Sequence, residues 1–104
     1  MKRKTFTSTT KPETILQTKI MDFLTLRGWY CMNMHGSMFQ SGFPDIYATH
    51  SLYKQRLIEV KIKHQYHFTP AQVEKFPKLS ANGSPIWILV AATDQEYQKL
   101  FGPE

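Results

Sequence analysis

The 104-residue sequence predicts an α/β domain, a mixed sheet flanked by helices in the order α-β-β-β-α-β-α. Three observations carry that expectation. An apolar stripe at period 3.6 lies near the start, and a strictly alternating run lies in the middle. A continuous apolar run follows near the end, as in a strand covered on both faces.

Residues 1–9 (MKRKTFTST) are polar and basic and read as a mobile arm, leaving residues 10–104 as one domain. Leu16, Ile20, Phe23 and Leu24 fall at i, i+4, i+7 and i+8, so a helix is expected from Glu13 to Arg27. Thr10-Lys11-Pro12-Glu13 fits a capping box at its start, and Gly28 fits its end. Trp29 to Met34 and Asp45 to Thr49 read as strands, separated by a His35-Gly36-Ser37 loop and a Gly42-Phe43-Pro44 turn. From Arg56 to Ile62 the side chains alternate, with Ile58, Val60 and Ile62 on one face and Leu57, Glu59 and Lys61 on the other. Short connections make these three strands an antiparallel meander.

A second capping box, Thr69-Pro70-Ala71-Gln72, opens another helix. Val73 and Phe76 are expected to face the core there, and Pro77 to kink or end the helix. Asn82-Gly83 marks a turn before the apolar strand from Pro85 to Ala92, and Asp94 is expected to cap a short last helix. Trp29, Phe76 and Trp87 read as core.

Composition bounds the function. At this length there is room for one core and not two. Hydrophobic residues make up 41% and charged residues 20%, a folded and not a disordered balance. No apolar run approaches the ~20 residues of a membrane span, and no signal segment follows the basic start. The lone Cys31 cannot form an internal disulfide, which suits a reducing, cytoplasmic setting. Cys31 itself reads as packing and not as a nucleophile. Thirteen Lys and Arg against eight Asp and Glu leave a net charge of +5, which attracts polyanions, nucleic acid first among them. No glycine loop for a nucleotide is present, so ATP dependence is not expected. His35, His64 and His67 have none of the spacings of a zinc site.

The informative constellation is Pro44-Asp45 followed by Glu59-Val60-Lys61. Asp45 opens one strand, and Glu59 and Lys61 project together from its expected neighbour. Two converging carboxylates repel, and a divalent cation compensates them. An oxygen-only donor set suits Mg²⁺ or Mn²⁺, which share their coordination with water and phosphate oxygens. Lys61 is then placed to orient or deprotonate an attacking water, or to offset phosphoryl charge. An ordinary turn followed by a surface ion pair would produce the same letters.

The flanking residues narrow the choice. Glu13 with Gln17 one turn on, Gly42-Phe43-Pro44-Asp45, Ile58-Glu59-Val60-Lys61 and Thr69-Pro70-Ala71-Gln72 follow in order, ahead of the late apolar strand. Over about residues 12–93 this pattern resembles the PD-(D/E)xK nucleases, and within them the small stand-alone VRR-NUC (virus-type replication-repair nuclease) domains. The resemblance implies a restriction-endonuclease-like core and a Mg²⁺- or Mn²⁺-dependent DNA endonuclease of repair or recombination, in a bacterial or virus-infected cell. By the same resemblance, Asp45 and Glu59 ligate the metal, Lys61 assists catalysis, Glu13 joins the metal site directly or through water, and Gln72 lies beside it. Stand-alone members are similar to junction-cleaving homodimers that act on branched DNA, such as four-way junctions. A single small domain cutting both strands calls for two sites, which also favours a homodimer.

Glu13 and Gln72 each also fit the third position of a capping box, where the side chain satisfies a backbone N–H. For Glu13, the stripe shared with Leu16, Ile20 and Leu24 argues that it points to the sheet. Met38-Phe39-Gln40-Ser41 lacks the basic residue expected near the site loop, which passes phosphate positioning to the N-terminal arm, Lys54, Arg56 or Lys63. His35 and the Lys63-His64-Gln65-Tyr66-His67 segment are further DNA-contact candidates. A non-catalytic DNA-binding module that keeps the nuclease fold is the alternative, and a protein-interaction domain with incidental charge a third.

Overall fold

The computed structural model describes residues 11–34, 42–65 and 67–102. Helix α1 (Pro12–Thr25) is followed by strands β1 (Tyr30–Asn33), β2 (Ile46–His50) and β3 (Lys54–Val60). Then come α2 (Pro70–Ala81), β4 (Ile86–Leu89), the short α3 (Asp94–Tyr97) and a 3-10 turn at Gln98–Phe101. The sheet order is β1-β2-β3-β4. β1, β2 and β3 form the expected antiparallel meander, while β4 runs parallel to β3, so the sheet is mixed. The anticipated arm at residues 1–9, and with it Thr10, lies outside the described residues, as do His35, Tyr66 and residues 38–41.

Period-two alternation sends Ile46, Ala48, Ile58, Val60, Trp87 and Leu89 to one face, where they bury against Ile20 and Leu24 of α1 and against Leu100. The C-terminal 3-10 turn thus completes the core with a leucine that is fully inaccessible. No described helix is long and apolar enough to cross a membrane.

Several local expectations need correction. The N-cap of α1 is Lys11, without a side-chain cap, so Glu13 stands one position short of a capping box. The buried stripe of α1 is Gln17, Ile20 and Leu24, whereas Glu13 is exposed. Thr93, not Asp94, caps α3, accepting a hydrogen bond from the Glu96 backbone N–H at 3.2 Å. In α2 the buried residue is Gln72; Phe76 is half-buried and Val73 is 63% exposed. The helix does not close over the sheet. A groove of about 390 Å³, lined by Phe68, Val73, Phe76 and Ile88, separates it from β4. Nor does Pro77 end α2, which continues to Ala81. The hydrogen bond that proline omits would go to the carbonyl of Val73, an exposed residue.

Candidate metal and catalytic site

Antiparallel pairing brings the start of β2 and the end of β3 to the same end of the sheet, with Ile46 opposite Ile58. One residue on, Asp45 comes level with Glu59, and the backbone N–H of the neighbouring Val60 donates to Asp45 Oδ2 at 2.8 Å. The turn ahead of Asp45 is set by Gly42, whose φ of +84° is open to glycine without strain. A Cβ at Gly42 would lie 2.8 Å from the Cβ of Ala71, so the turn rests directly on the first turn of α2. Gly42 and Ala71 thus explain one another: two small residues let the Asp45 loop and the Gln72 helix touch.

β3 continues the ladder one residue past its end, the Lys61 N–H donating to the Leu89 carbonyl at 3.1 Å. Glu59 and Lys61 share a face as expected, with Lys61 Nζ 3.1 Å from Glu59 Oε2. Both are buried, at 1% and 9% exposure. Lys61 Nζ also donates to the His67 carbonyl and to Gln72 Oε1, each at 3.0 Å, and lies 4.9 Å from the centroid of the Phe68 ring. Three acceptors take up the three donors of an ammonium.

Gln72 resolves the choice between cap and site by being both. Its Oε1 accepts from the Thr69 N–H at 3.1 Å while Thr69 Oγ1 accepts from the Gln72 N–H, a complete capping box. The same Oε1 receives Lys61, and its Nε2 donates to Glu59 Oε2 at 2.8 Å.

One oxygen stays unmatched. Glu59 Oε1 is buried with no hydrogen-bond partner. Burial, and then the charge of Asp45, push the Glu59 carboxyl up to about 7, against the pull of Lys61 and Gln72. Asp45 is raised as well, by burial first and by the Glu13 charge, while the Val60 N–H pulls it back. Two neighbouring carboxylates that resist ionisation, one with an orphan oxygen, are oxygen donors of the kind that could hold a hard divalent cation. Among the described residues no set of three His, Cys, Asp or Glu side chains gathers tightly enough to hold a metal by itself.

The remaining expected residues are spread out. Glu13, in the first turn of α1, is near enough to act on Asp45 and accepts a long contact from Gln17 Nε2, 3.5 Å. Lys63 is exposed two residues beyond Lys61. Lys54 begins β3, roughly 16 Å from Glu59 along the strand, and donates to the Ser51 carbonyl. Arg56 is tied to the carbonyls of Leu100, Tyr53 and Gln55 and packs over Trp87, a structural role. His64 and His67 are exposed. Cys31, half-buried in β1, has its thiol pushed up to about 11 by burial, which suits packing.

Sequence reading passed over Gln17 as a site residue, as it did Asn33, Phe68 and the His67 carbonyl. Gln17 did leave a signal, an amide in a helical stripe whose other members, Ile20 and Leu24, are apolar.

No family model and no curated protein matches the chain. A solved structure described as a VRR_NUC domain protein is similar to it, with a TM-score of 0.64 and 23% identity over 88% of this chain and 90% of that one. With the four-stranded mixed sheet and the motifs gathered at one end of it, the chain has the fold of a VRR-NUC domain.

Proposed function

We propose that the chain is a Mg²⁺- or Mn²⁺-dependent endonuclease that hydrolyses DNA phosphodiester bonds, with branched DNA such as four-way junctions as its preferred substrate, working as a homodimer. The observation that carries this reading is the convergence of Asp45, Glu59, Lys61 and Gln72 on one end of the sheet, with Glu59 Oε1 unpartnered. A fold needs no buried, repelling carboxylates for its own stability. Holding them together is explained by what they bind.

In this reading Asp45 and Glu59 hold the cation, and Glu13 reaches it through water. The bound ion supplies Lewis acidity, polarising the phosphoryl group and lowering the pKa of water. Lys61, with all three N–H directions engaged, serves as a fixed positive charge beside Glu59 and not as a base. Gln72 bonds both Glu59 Oε2 and Lys61 Nζ, which leaves Oε1 as the Glu59 oxygen that would be open to an ion. Lys63, exposed next to this end, is the candidate phosphate contact, along with His35. Lys54, at the far end of β3, is left out of that surface.

Purified protein incubated with four-way junctions, flaps, splayed arms and linear duplex, with and without Mg²⁺ or Mn²⁺, tests the proposal. Cleavage is expected only with the ion, and the Asp45→Ala and Lys61→Ala variants should lose at least about a hundredfold in rate. Cleavage that survives EDTA or those substitutions rejects it. Salt-sensitive DNA binding with no products under any ion condition would instead identify a non-catalytic binding module.

A further inference from the structure

Gln17 lies in the middle of α1 at 3% exposure, on the stripe that Ile20 and Leu24 fill with aliphatic carbon. An apolar side chain there would add to the core, and a buried amide must instead find partners. Its partners all lead one way. Asn33 Nδ2, at the end of β1, donates to Gln17 Oε1 at 3.3 Å, which fixes the orientation of the amide. Gln17 Nε2 is thereby turned toward Glu13 Oε1, one helical turn back at 3.5 Å. Asn33 is itself anchored beside the site: it pairs with Ile46, and the next residue, Met34, donates its N–H to the Asp45 carbonyl at 2.7 Å. Glu13, in turn, is exposed and without a role in capping α1.

We infer that Gln17, oriented by Asn33, is a positioning residue that holds the Glu13 carboxylate toward the Asp45–Glu59 pair. The inference rests on the metal-dependent reading above and adds to it a third arm of the site. Outer partners of this kind typically change metal affinity by about 10–100-fold when removed.

The test measures Mn²⁺ affinity, by electron paramagnetic resonance of the free ion, and thermal stability together, on the full chain. Gln17→Leu should keep or raise the melting temperature, since the leucine joins Ile20 and Leu24, yet weaken Mn²⁺ binding about tenfold. The ion concentration for half-maximal DNA cleavage should rise by the same factor, with little change in the saturated rate. Asn33→Ala should give the same effect in smaller measure, and Gln17→Met serves as a second apolar variant should the leucine disturb α1. In a Glu13→Gln background, Gln17→Leu should add nothing, because both act through one carboxylate. Wild-type affinity in the Gln17 variants, or an undiminished effect in the Glu13→Gln background, overturns the inference alone. Absence of Mn²⁺ binding by the unsubstituted chain overturns the metal-dependent reading, and the positioning role with it.

Discussion

Where β1 begins and the β2–β3 hairpin turns, Trp29, His50 and Tyr53 lie ring against ring, Phe101 meets Tyr53 edge-on, and Arg56 spans the cluster. Three polar side chains there are tied down: Trp29 Nε1 donates to Tyr97 Oη at 3.0 Å, His50 Nδ1 accepts from the Leu52 N–H, and Arg56 reaches three carbonyls. At the opposite end stand Asp45, Glu59, Lys61 and Gln72, all buried, three of them ionisable, with the Glu59 Oε1 acceptor lacking a donor. The same strands thus carry a satisfied end and an unsatisfied one. The difference separates the end that holds the fold together from the end that keeps charged groups buried at a cost in stability.

Removing the aromatic anchor should have the largest effect on stability and the least on the site. Trp29→Ala is expected to lose about 3–5 kcal/mol in denaturant melts. Cleavage per folded molecule should be unchanged, and a selective loss of cleavage would dissolve the contrast between the ends.

The second probe is pH. Glu59 has an ordinary value of 4.5 and a folded value of about 7, so between these the folded chain holds a proton that the unfolded chain releases. Metal-free stability should therefore fall as pH rises from about 4.5 through 7, by an amount on the order of 3 kcal/mol or less. Mn²⁺ at pH 7.5 should restore it, because the ion replaces the proton as the balancing charge. Melting temperatures across pH 4.5–8 with and without Mn²⁺ check this; a flat metal-free curve would mean that burial and the Asp45 charge do not raise the Glu59 carboxyl.

The smallest expected change is at the joint between the site loop and α2. Gly42→Ala places a Cβ at φ +84° and against Ala71, which should lower stability by about 1–2 kcal/mol. Because Asp45 follows three residues on, cleavage should drop by more than unfolding explains, which paired melting and rate measurements separate.

Much of this was legible in the letters. The meander could be read because Ile58 and Val60 alternate with Glu59 and Lys61, and a period of two admits one placement. The site pair was legible for the same reason. What escaped depends on contacts between distant segments. Val73 looks like a core residue within α2, but the width of the groove beneath that helix is set by Phe68, Phe76 and Ile88 together. Glu13 shares the spacing of Leu16, Ile20 and Leu24, yet stands a full turn beyond the edge of the core, and the apolar stripe ends in Gln17 instead. Gly42 and Ala71 are unremarkable apart and informative only as a pair.

Gln72 narrows what evolution or a designer can place at that position. Glutamate would keep the reciprocal bond to Thr69 but set a third negative group against Glu59. Leucine would fill the space and release both the helix end and the lysine. Only a side chain of this length with an acceptor and a donor on one carbon satisfies both tasks, so unwinding the first turn of α2 and releasing Glu59 and Lys61 would be a single event.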